Sequence, residues 1–294
     1  MSKPVIGFIG LGLMGANMVE NLQNRGFEVV FIARKQEVID KVLARGNATL
    51  AKTPKELAEK SDIVELCVTT SDVVESLVYG DDGLMAGMKE GSVLIDFGTS
   101  IPESTKKIGA DLKAKGIGMI DAPLGRTPAH ATEGKLNIMA AGDKATFDKY
   151  EPMLKEQGEN IFYLGALGAG HTTKLINNFM GMTTVTAMSQ AFAAAELAGV
   201  DRQQLYDIMS SGPSNSPFMK FCKNYAVDGV SDLGFSLNNA NKDLGYFAQM
   251  VSDLGSVSLV AEATSKSLQA AVDAGMGDGN VPEIFDYFVK LKKL

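Results

Sequence analysis

The stretch that most restricts how this chain can fold is residues 168–200, GAGHTTKLINNFMGMTTVTAMSQAFAAAELAGV, which reads as one long helix. Thirty helical residues span ~45 Å. Between His171 and Ala198 only Lys174 and Glu196 are charged, and a helix that apolar all round is expected to be buried by protein on most sides. The rest of the fold should therefore be built along it. Asn177, Asn178, Gln190 and the threonines argue against a membrane span. Lys174 and Asn178 lie four residues apart, so they share one face, with Asn177 beside them. One cation and two amides thus look into the same space. A lysine buried without a partner is costly and ends with a depressed pKa or a place on the wall of a polar pocket. The plainer alternative is a lysine near a helix N-terminus whose head reaches water.

A chain of 294 residues suggests about two domains, and 45% apolar content is ample for a core. The net charge of -7 argues against a nucleic-acid partner, and no basic amphipathic stretch suggests a membrane surface. A small anionic substrate stays compatible, because a local site can oppose the global charge. Cys67 and Cys222 make no disulfide framework, and with only His130 and His171 beside them no metal site is expected. This cysteine usage fits a reducing cytoplasm. The opening MSKPVIGFIGLGLMG is broken by glycines and runs straight into structure, so it does not read as a signal peptide.

Residues 5–9 form a short apolar run that ends in Gly10-Leu11-Gly12-Leu13-Met14-Gly15, followed by a helical pattern through Asn24. This is a strand, a glycine turn and a helix. Gly10 permits the tight turn, Gly12 lets the backbone approach a pyrophosphate, and Gly15 lets helix pack on strand, with the helix N-terminus facing the phosphates. A lone glycine motif is weak, but a second strand over residues 28–32 ends where the ribose reader belongs. That position carries Ala33-Arg34-Lys35 instead of the acid of an NAD site. Two cations after a small neutral residue attract a 2'-phosphate, which favours NADP and leaves NAD possible; the alternative is a solvated loop, with Glu37 as a local partner.

Further strands are expected at 62–68, 93–97, 119–122 and 136–141, with helices at 55–60, 71–79, 102–114 and 144–155. The class is α/β, an N-terminal Rossmann-type doubly wound parallel sheet over residues 1–163. Residues 164–294 carry helical patterns at 202–210, 217–226, 235–252, 259–274 and 282–291 and no convincing strand, so the second domain should be all helical. Ligands bind at the carboxyl ends of strands, which points to Thr69, Thr70, Thr99 and the segment after Asp121 for the nicotinamide end.

The glycine turn, Asp96-Phe97-Gly98-Thr99-Ser100-Ile101-Pro102, Asp121-Ala122-Pro123-Leu124, Gly168-Ala169-Gly170 through Lys174-Leu175-Ile176-Asn177-Asn178, and Phe235 with Lys242-Asp243-Leu244 together resemble the β-hydroxyacid dehydrogenase family. The resemblance covers nearly the whole chain in order. It implies hydride exchange between NAD(P) and a short acid bearing an alcohol or aldehyde, and a homodimer or homotetramer. It makes Lys174 the catalytic lysine and Asn178 its substrate-orienting neighbour, sets Phe235 and Asp243 by the substrate, and puts Lys242 near the cofactor. Where common members have Ser-Gly-Gly after the Asp-Ala-Pro segment, this chain has Gly125-Arg126-Thr127. That variant is similar to the loop of family members that reduce sulfolactaldehyde. Thr69-Thr70 and Gly98 also depart from the usual residues and would alter nicotinamide contacts.

The chemistry can be built from the residues as well. Reducing an aldehyde needs a proton for the new alkoxide, which a protonated Lys174 would donate; in the reverse direction its neutral amine would accept. Asn178 is an uncharged group that can hold the ammonium or the substrate hydroxyl in register, and Asn177 is either a second contact or a packing amide. His171, one turn before Lys174, is a rival base, although a histidine at a glycine-rich helix start is more often a capping or surface residue. Asp243 either tunes Lys174 or only pairs with Lys242. The loop at 125–127 offers close backbone approach at Gly125, five donors on Arg126 and a hydroxyl on Thr127, a set suited to a three-oxygen anion. Arg126 could instead pair with Glu133. The leading function is reduction of a small anionic aldehyde, sulfolactaldehyde first and a carboxylate semialdehyde second; a noncatalytic nucleotide-binding scaffold is the alternative of another class.

Overall fold

A computed structural model describes residues 3–291, and the chain divides into two compact units between Lys174 and Leu175. The first contains β1 (Ile6–Ile9), α1 (Gly15–Asn24), β2 (Val29–Ile32), α2 (Gln36–Leu43), β3 (Ala48–Leu50), α3 (Pro54–Glu59), β4 (Ile63–Leu66), α4 (Ser71–Tyr79), α5 (Leu84–Gly87), β5 (Val93–Asp96), α6 (Pro102–Lys113), β6 (Gly118–Asp121), β7 (Leu124–Gly125), α7 (Pro128–Thr132), β8 (Leu136–Gly142), α8 (Lys144–Gln157), β9 (Gly158–Tyr163) and the first turns of α9 (Ala169–Ala198). The sheet order is β3-β2-β1-β4-β5-β6-β8-β7, with β9 on β8. Every pair from β3 to β6 is parallel, whereas β8 runs antiparallel to β6 and β7.

Helices cover both faces, so β1, β4 and β5 are buried at every position and, apart from Glu65 in β4 and Asp96 at the end of β5, carry no polar side chain in alternation. Phe8, Met18, Leu22 and Phe31 pack one face; Leu66, Leu94, Ile108 and Leu112 pack the other. Chain order reverses between β1 and β4, which opens a crevice at the carboxyl ends of those strands. Side-chain caps begin the neighbouring helices: Thr53 accepts from Glu56 N, Thr70 from Val73 N and Asp143 from Thr146 N. The elements the sequence did not announce are β3, β7, β9, α2, α5 and α7. β3 and β7 are too short to show a period, and β9 is only partly buried, formed by its parallel pairing with β8. The last strand ends at Tyr163, yet the first unit continues to Lys174. The cause is local: Asp121 accepts backbone N–H bonds from Gly168 and His171, both at 2.8 Å, and ties the start of α9 to the end of β6.

The second unit holds the rest of α9 with α10 (Arg202–Ser210), α11 (Pro217–Ala226), α12 (Leu237–Asp253), α13 (Leu259–Ala271) and α14 (Ile284–Lys290). Among its described residues the only β pairing is one bridge, Ser236 with Asn280. α13 stops three residues before the sequence pattern does and passes into a π turn at Val272–Met276, where Gly275 has φ +87°. The core joins Met182, Val185 and Phe192 of α9 to Leu237 and Leu244 of α12, Leu268 of α13 and Ile284 of α14. Most positions of α9 are buried or half-buried, as expected, but one side is open. Ile176, Met180, Ala187, Gln190, Ala194 and Leu197 form an exposed stripe that the neighbouring helices leave uncovered. No helix among the described residues is long and apolar enough to cross a membrane.

Candidate active site

The glycine turn is built as its spacing requires. Gly10 has φ +105°, and a Cβ there would sit 2.3 Å from the Cys67 carbonyl, so a side chain is excluded twice over. A Cβ on Gly15 would lie 2.0 Å from the Gly10 carbonyl oxygen, which is the close helix–strand approach. Gly12 is the opposite case: nothing lies within 4 Å of its Cβ position. The open space is where a pyrophosphate would come. Met14, at the N-cap of α1, makes no side-chain cap bond, and Ala16 N and Asn17 N bond back to the Gly12 and Met14 carbonyls at 3.1 Å, so this ten-residue helix would meet an anion with the positive end of its dipole behind the open turn. Leu13 is 65% exposed on the tip of the turn, and Leu11 and Met14 pack against the core below. The open turn at Gly12 and the helix start behind it fit a dinucleotide.

At the end of β2, Arg34 and Lys35 are exposed, and neither is paired with a carboxylate among the described residues; Glu37 does not engage them. Thr69 is exposed beyond β4, and Thr70 spends its hydroxyl as the cap of α4 at 3.3 Å from Val73 N. Thr99 is half-buried after β5. All these residues stand on loops that follow the carboxyl ends of strands. A cavity of about 580 Å³ lies at the other end of the sheet, where Pro4, Asp62 and Ser92 precede β1, β4 and β5, and so belongs to a different part of this unit.

A buried polar cluster, not singled out in the sequence as a functional unit, sits at the ends of β5 and β6. Asp96 and Asp121 are register partners on the two strands, and both are fully buried with His171. Asp96 accepts from Gly98 N at 2.8 Å and from the Ser100 hydroxyl at 2.9 Å. His171 Nδ1 is 2.8 Å from Thr105 Oγ1. Burial raises the Asp121 carboxyl above its ordinary range; His171 and the Gly168 and His171 backbone donors oppose this, and Asp96 reinforces it. His171 is therefore neither a surface residue nor a side-chain cap. The available signal was a pair of apolar strands each ending in aspartate, Leu94-Ile95-Asp96 and Met119-Ile120-Asp121.

Lys174, half-buried in the second turn of α9, donates to the Leu124 carbonyl at 2.7 Å. Its ammonium is thus held at β7, directly before the loop at 125–127. In that loop Gly125 approaches Asn137, whose Cβ would be 3.3 Å from a Cβ on the glycine. Arg126 adopts φ +77°, donates to the Lys135 carbonyl at 2.7 Å and forms an ion pair with Glu159. Glu133, the partner considered from sequence, pairs with Lys135 instead. Thr127 Oγ1 is 2.7 Å from His130 Nδ1.

In the second unit Asn178 and Asp243 are buried, and Asn178 Nδ2 donates to Asp243 Oδ2 at 2.6 Å. Lys242 Nζ lies 2.8 Å from Asp243 Oδ1, yet that oxygen has no hydrogen bond of acceptable angle. The contact is an ion pair without a directed hydrogen bond. The Lys242 ammonium also stands 4.9 Å from the centre of the Tyr246 ring. Asn177 is exposed, with Nδ2 3.4 Å from Asn178 Oδ1, and Phe235 packs on the helical core, its backbone bonded to Leu233 and Val281.

Comparison with known proteins agrees with this geometry. Residues 5–165 match the family described as the NAD binding domain of 6-phosphogluconate dehydrogenase. Residues 168–287 match the one described as NAD-binding of NADP-dependent 3-hydroxyisobutyrate dehydrogenase. The chain is 32% identical to a probable 3-hydroxyisobutyrate dehydrogenase-like mitochondrial protein of Arabidopsis thaliana, over 95% of this chain and 91% of that one. It is 29% identical to the 3-sulfolactaldehyde reductase of Escherichia coli, over 92% and 91%. A crystal structure of a 3-hydroxyisobutyrate dehydrogenase from Salmonella typhimurium superposes with a TM-score of 0.85 at 25% identity, covering 97% of this chain and all of the other.

Proposed function

Since the chain belongs to the β-hydroxyacid dehydrogenase family, NAD(P)-dependent enzymes acting on hydroxyl groups, we propose that it reduces a small anionic aldehyde with NADPH, Lys174 supplying the proton. The observation that carries this reading is the Lys174 ammonium held at 2.7 Å on the Leu124 carbonyl, next to the loop at 125–127. When bound, the nicotinamide supplies the hydride to the carbonyl carbon. The carbonyl oxygen becomes an alkoxide, and the ammonium, oriented by Leu124, protonates it. Asn178, one helical turn further, has its amide orientation set by Asp243, and its Oδ1 can accept from the substrate hydroxyl or the ammonium. Preference for NADPH rests on Arg34 and Lys35, exposed cations where an NAD site has an acid.

The leading substrate is sulfolactaldehyde, reduced to 2,3-dihydroxypropane-1-sulfonate, with Arg126 and Thr127 taking the sulfonate. Support comes from the Gly125-Arg126-Thr127 loop and from the reductase relative. The Arg126–Glu159 ion pair favours a second reading, a carboxylate semialdehyde, because it offsets the charge Arg126 would offer. A panel of sulfolactaldehyde, methylmalonate semialdehyde, succinic semialdehyde and a neutral aldehyde, followed by NADPH absorbance, tests both. Lys174→Ala should lower kcat by about 10²- to 10⁴-fold with NADPH binding nearly intact; activity within a few-fold of wild type removes Lys174 from the mechanism. Arg126→Met should cost about 2 to 3 kcal/mol in kcat/KM on the sulfonate and little on the neutral aldehyde. Equal losses on both, or faster wild-type turnover of the carboxylate semialdehydes, would replace the sulfonate reading with the second.

A further inference from the structure

We infer that His171 is a positioning residue that carries a proton on Nε2 directed at Asp96, and so locks the start of α9, with Lys174 on it, to the ends of β5 and β6. The inference rests on the assignment of Lys174 as proton donor. His171 is fully buried, and its Nε2 is 3.6 Å from Asp96 Oδ2 with no hydrogen-bond partner among the described residues. A bare Nε2 would turn its lone pair towards a buried carboxylate, a repulsive contact where little solvent screens it. A proton on Nε2 makes the same contact attractive. The Thr105 hydroxyl serves Nδ1 in either remaining state. It donates to a bare Nδ1, or it accepts from a protonated one and sends its own hydrogen to the Ile101 carbonyl at 3.2 Å. The neutral Nε2–H form and the imidazolium both fit; the Nδ1–H form alone does not.

The groups facing the ring from each neighbouring element fit this assignment. From β6, Asp121 Oδ2 is 3.9 Å from Nδ1 and also accepts the His171 backbone N–H at 2.8 Å. From β5 comes Asp96, and next to it on the β4 side the Cys67 thiol is pushed up to about 12, first by burial and then by Asp96, and so stays neutral. α6 contributes Thr105, which does not titrate. His171 thus joins both strand-end carboxylates to α9, and Lys174 follows it by three residues, as Leu124 follows Asp121. The ammonium and the carbonyl that orients it are each one short step from the cluster.

The test combines nitrogen NMR of the His171 ring in the wild-type chain with kinetics of two variants. His171→Gln can place an amide N–H near the Nε2 position, whereas His171→Asn reaches only the Nδ1 position. Wild type should show a proton-bearing Nε2 between pH 6 and 8. His171→Gln should keep kcat within about 3-fold, and His171→Asn should lower it by about 10- to 100-fold, the scale of a small misplacement of a reacting group. KM for the aldehyde and Kd for NADPH should stay within about 2-fold. A bare Nε2 in wild type overturns the proposal, as does a His171→Asn variant that loses thermal stability but keeps kcat. If Lys174→Ala were fully active, the donor assignment would fail by itself, while the NMR result would still decide the proton on His171. Should His171→Asn not fold, the wild-type spectrum and His171→Gln kinetics decide.

Discussion

Glu65 occupies the middle of the fully buried β4 strand, where its Oε1 accepts from Gln157 Nε2 at 2.8 Å. Glu65 Oε2 and Gln157 Oε1 are both buried without partners. One proton on Oε2, given to Gln157 Oε1, would satisfy both oxygens in a cyclic acid–amide pair. Burial raises this carboxyl to about 8, against which the Gln157 bond works. The folded chain therefore keeps a proton that the unfolded chain has lost above its ordinary carboxyl pKa of 4.5. Stability from this group should fall as pH rises through that window, by up to roughly 1.4 kcal/mol per pH unit, and level off above about pH 8. The comparison of wild type with Glu65→Gln in denaturant melts from pH 5 to 9 isolates the effect: the variant should lose that part of the slope, and parallel curves would show that Glu65 is ionised in the folded state. Arg34 gives a second prediction at this scale. Arg34→Ala should weaken NADPH by about 1.5 to 3 kcal/mol and NADH far less; titration with both cofactors checks it, and equal losses would remove Arg34 as the phosphate reader.

At the scale of elements, the β1–α1 turn separates folding from binding. A Cβ at residue 15 strikes the Gly10 carbonyl, whereas a Cβ at residue 12 meets nothing. Gly15→Ala should therefore lower Tm in the absence of cofactor by several degrees, because turn or helix must shift. Gly12→Ala should leave that Tm within about a degree but reduce the stabilisation by saturating NADPH, which measures binding to the folded state. Thermal melts with and without cofactor read both. An unchanged cofactor shift in Gly12→Ala would mean that no phosphate approaches there. The long helix α9 obeys the same division: Asp121 bonds fix its start and apolar packing fixes one side of its second half. Because Asn177, Asn178, Gly181, Thr183, Thr184 and Thr186 are poor helix formers, its length rests on this packing and on the absence of proline more than on intrinsic propensity.

For the whole molecule, the informative surface is apolar and uncovered. Met180 and Leu197 on α9 are 58% and 66% exposed, and Leu254, Val257 and Leu259, between and at the start of α12 and α13, exceed 70%. We propose that exposed apolar side chains of this size mark an association face, the homo-oligomer expected from the family resemblance being the assembly that would cover it. Light scattering should give a mass at least twice 31.2 kDa. Met180→Asp with Leu197→Asp should shift the population towards monomer, and a wild-type monomer at micromolar concentration would sink the expectation.

The class of fold and the main elements are legible in the chain before it folds, because apolar runs, glycine spacing and a long helical period are local properties carried by neighbouring residues. Gly10, Gly12 and Gly15 were legible for this reason, and so was the acid missing after β2. The same holds for Lys174 and Asn178, whose spacing on one helix needs no tertiary information. Which side chains meet across strands and loops was settled by packing in three dimensions. It gave Arg126 a carboxylate partner in Glu159, which is 33 residues away in sequence, and it joined Asp96, Asp121 and His171 into one buried cluster. It also left one face of α9 bare, since composition records how apolar a helix is but not which of its sides neighbouring helices will cover. Non-local contacts of this kind depend on strand order and register, and those follow from how the whole sheet packs, not from any one segment.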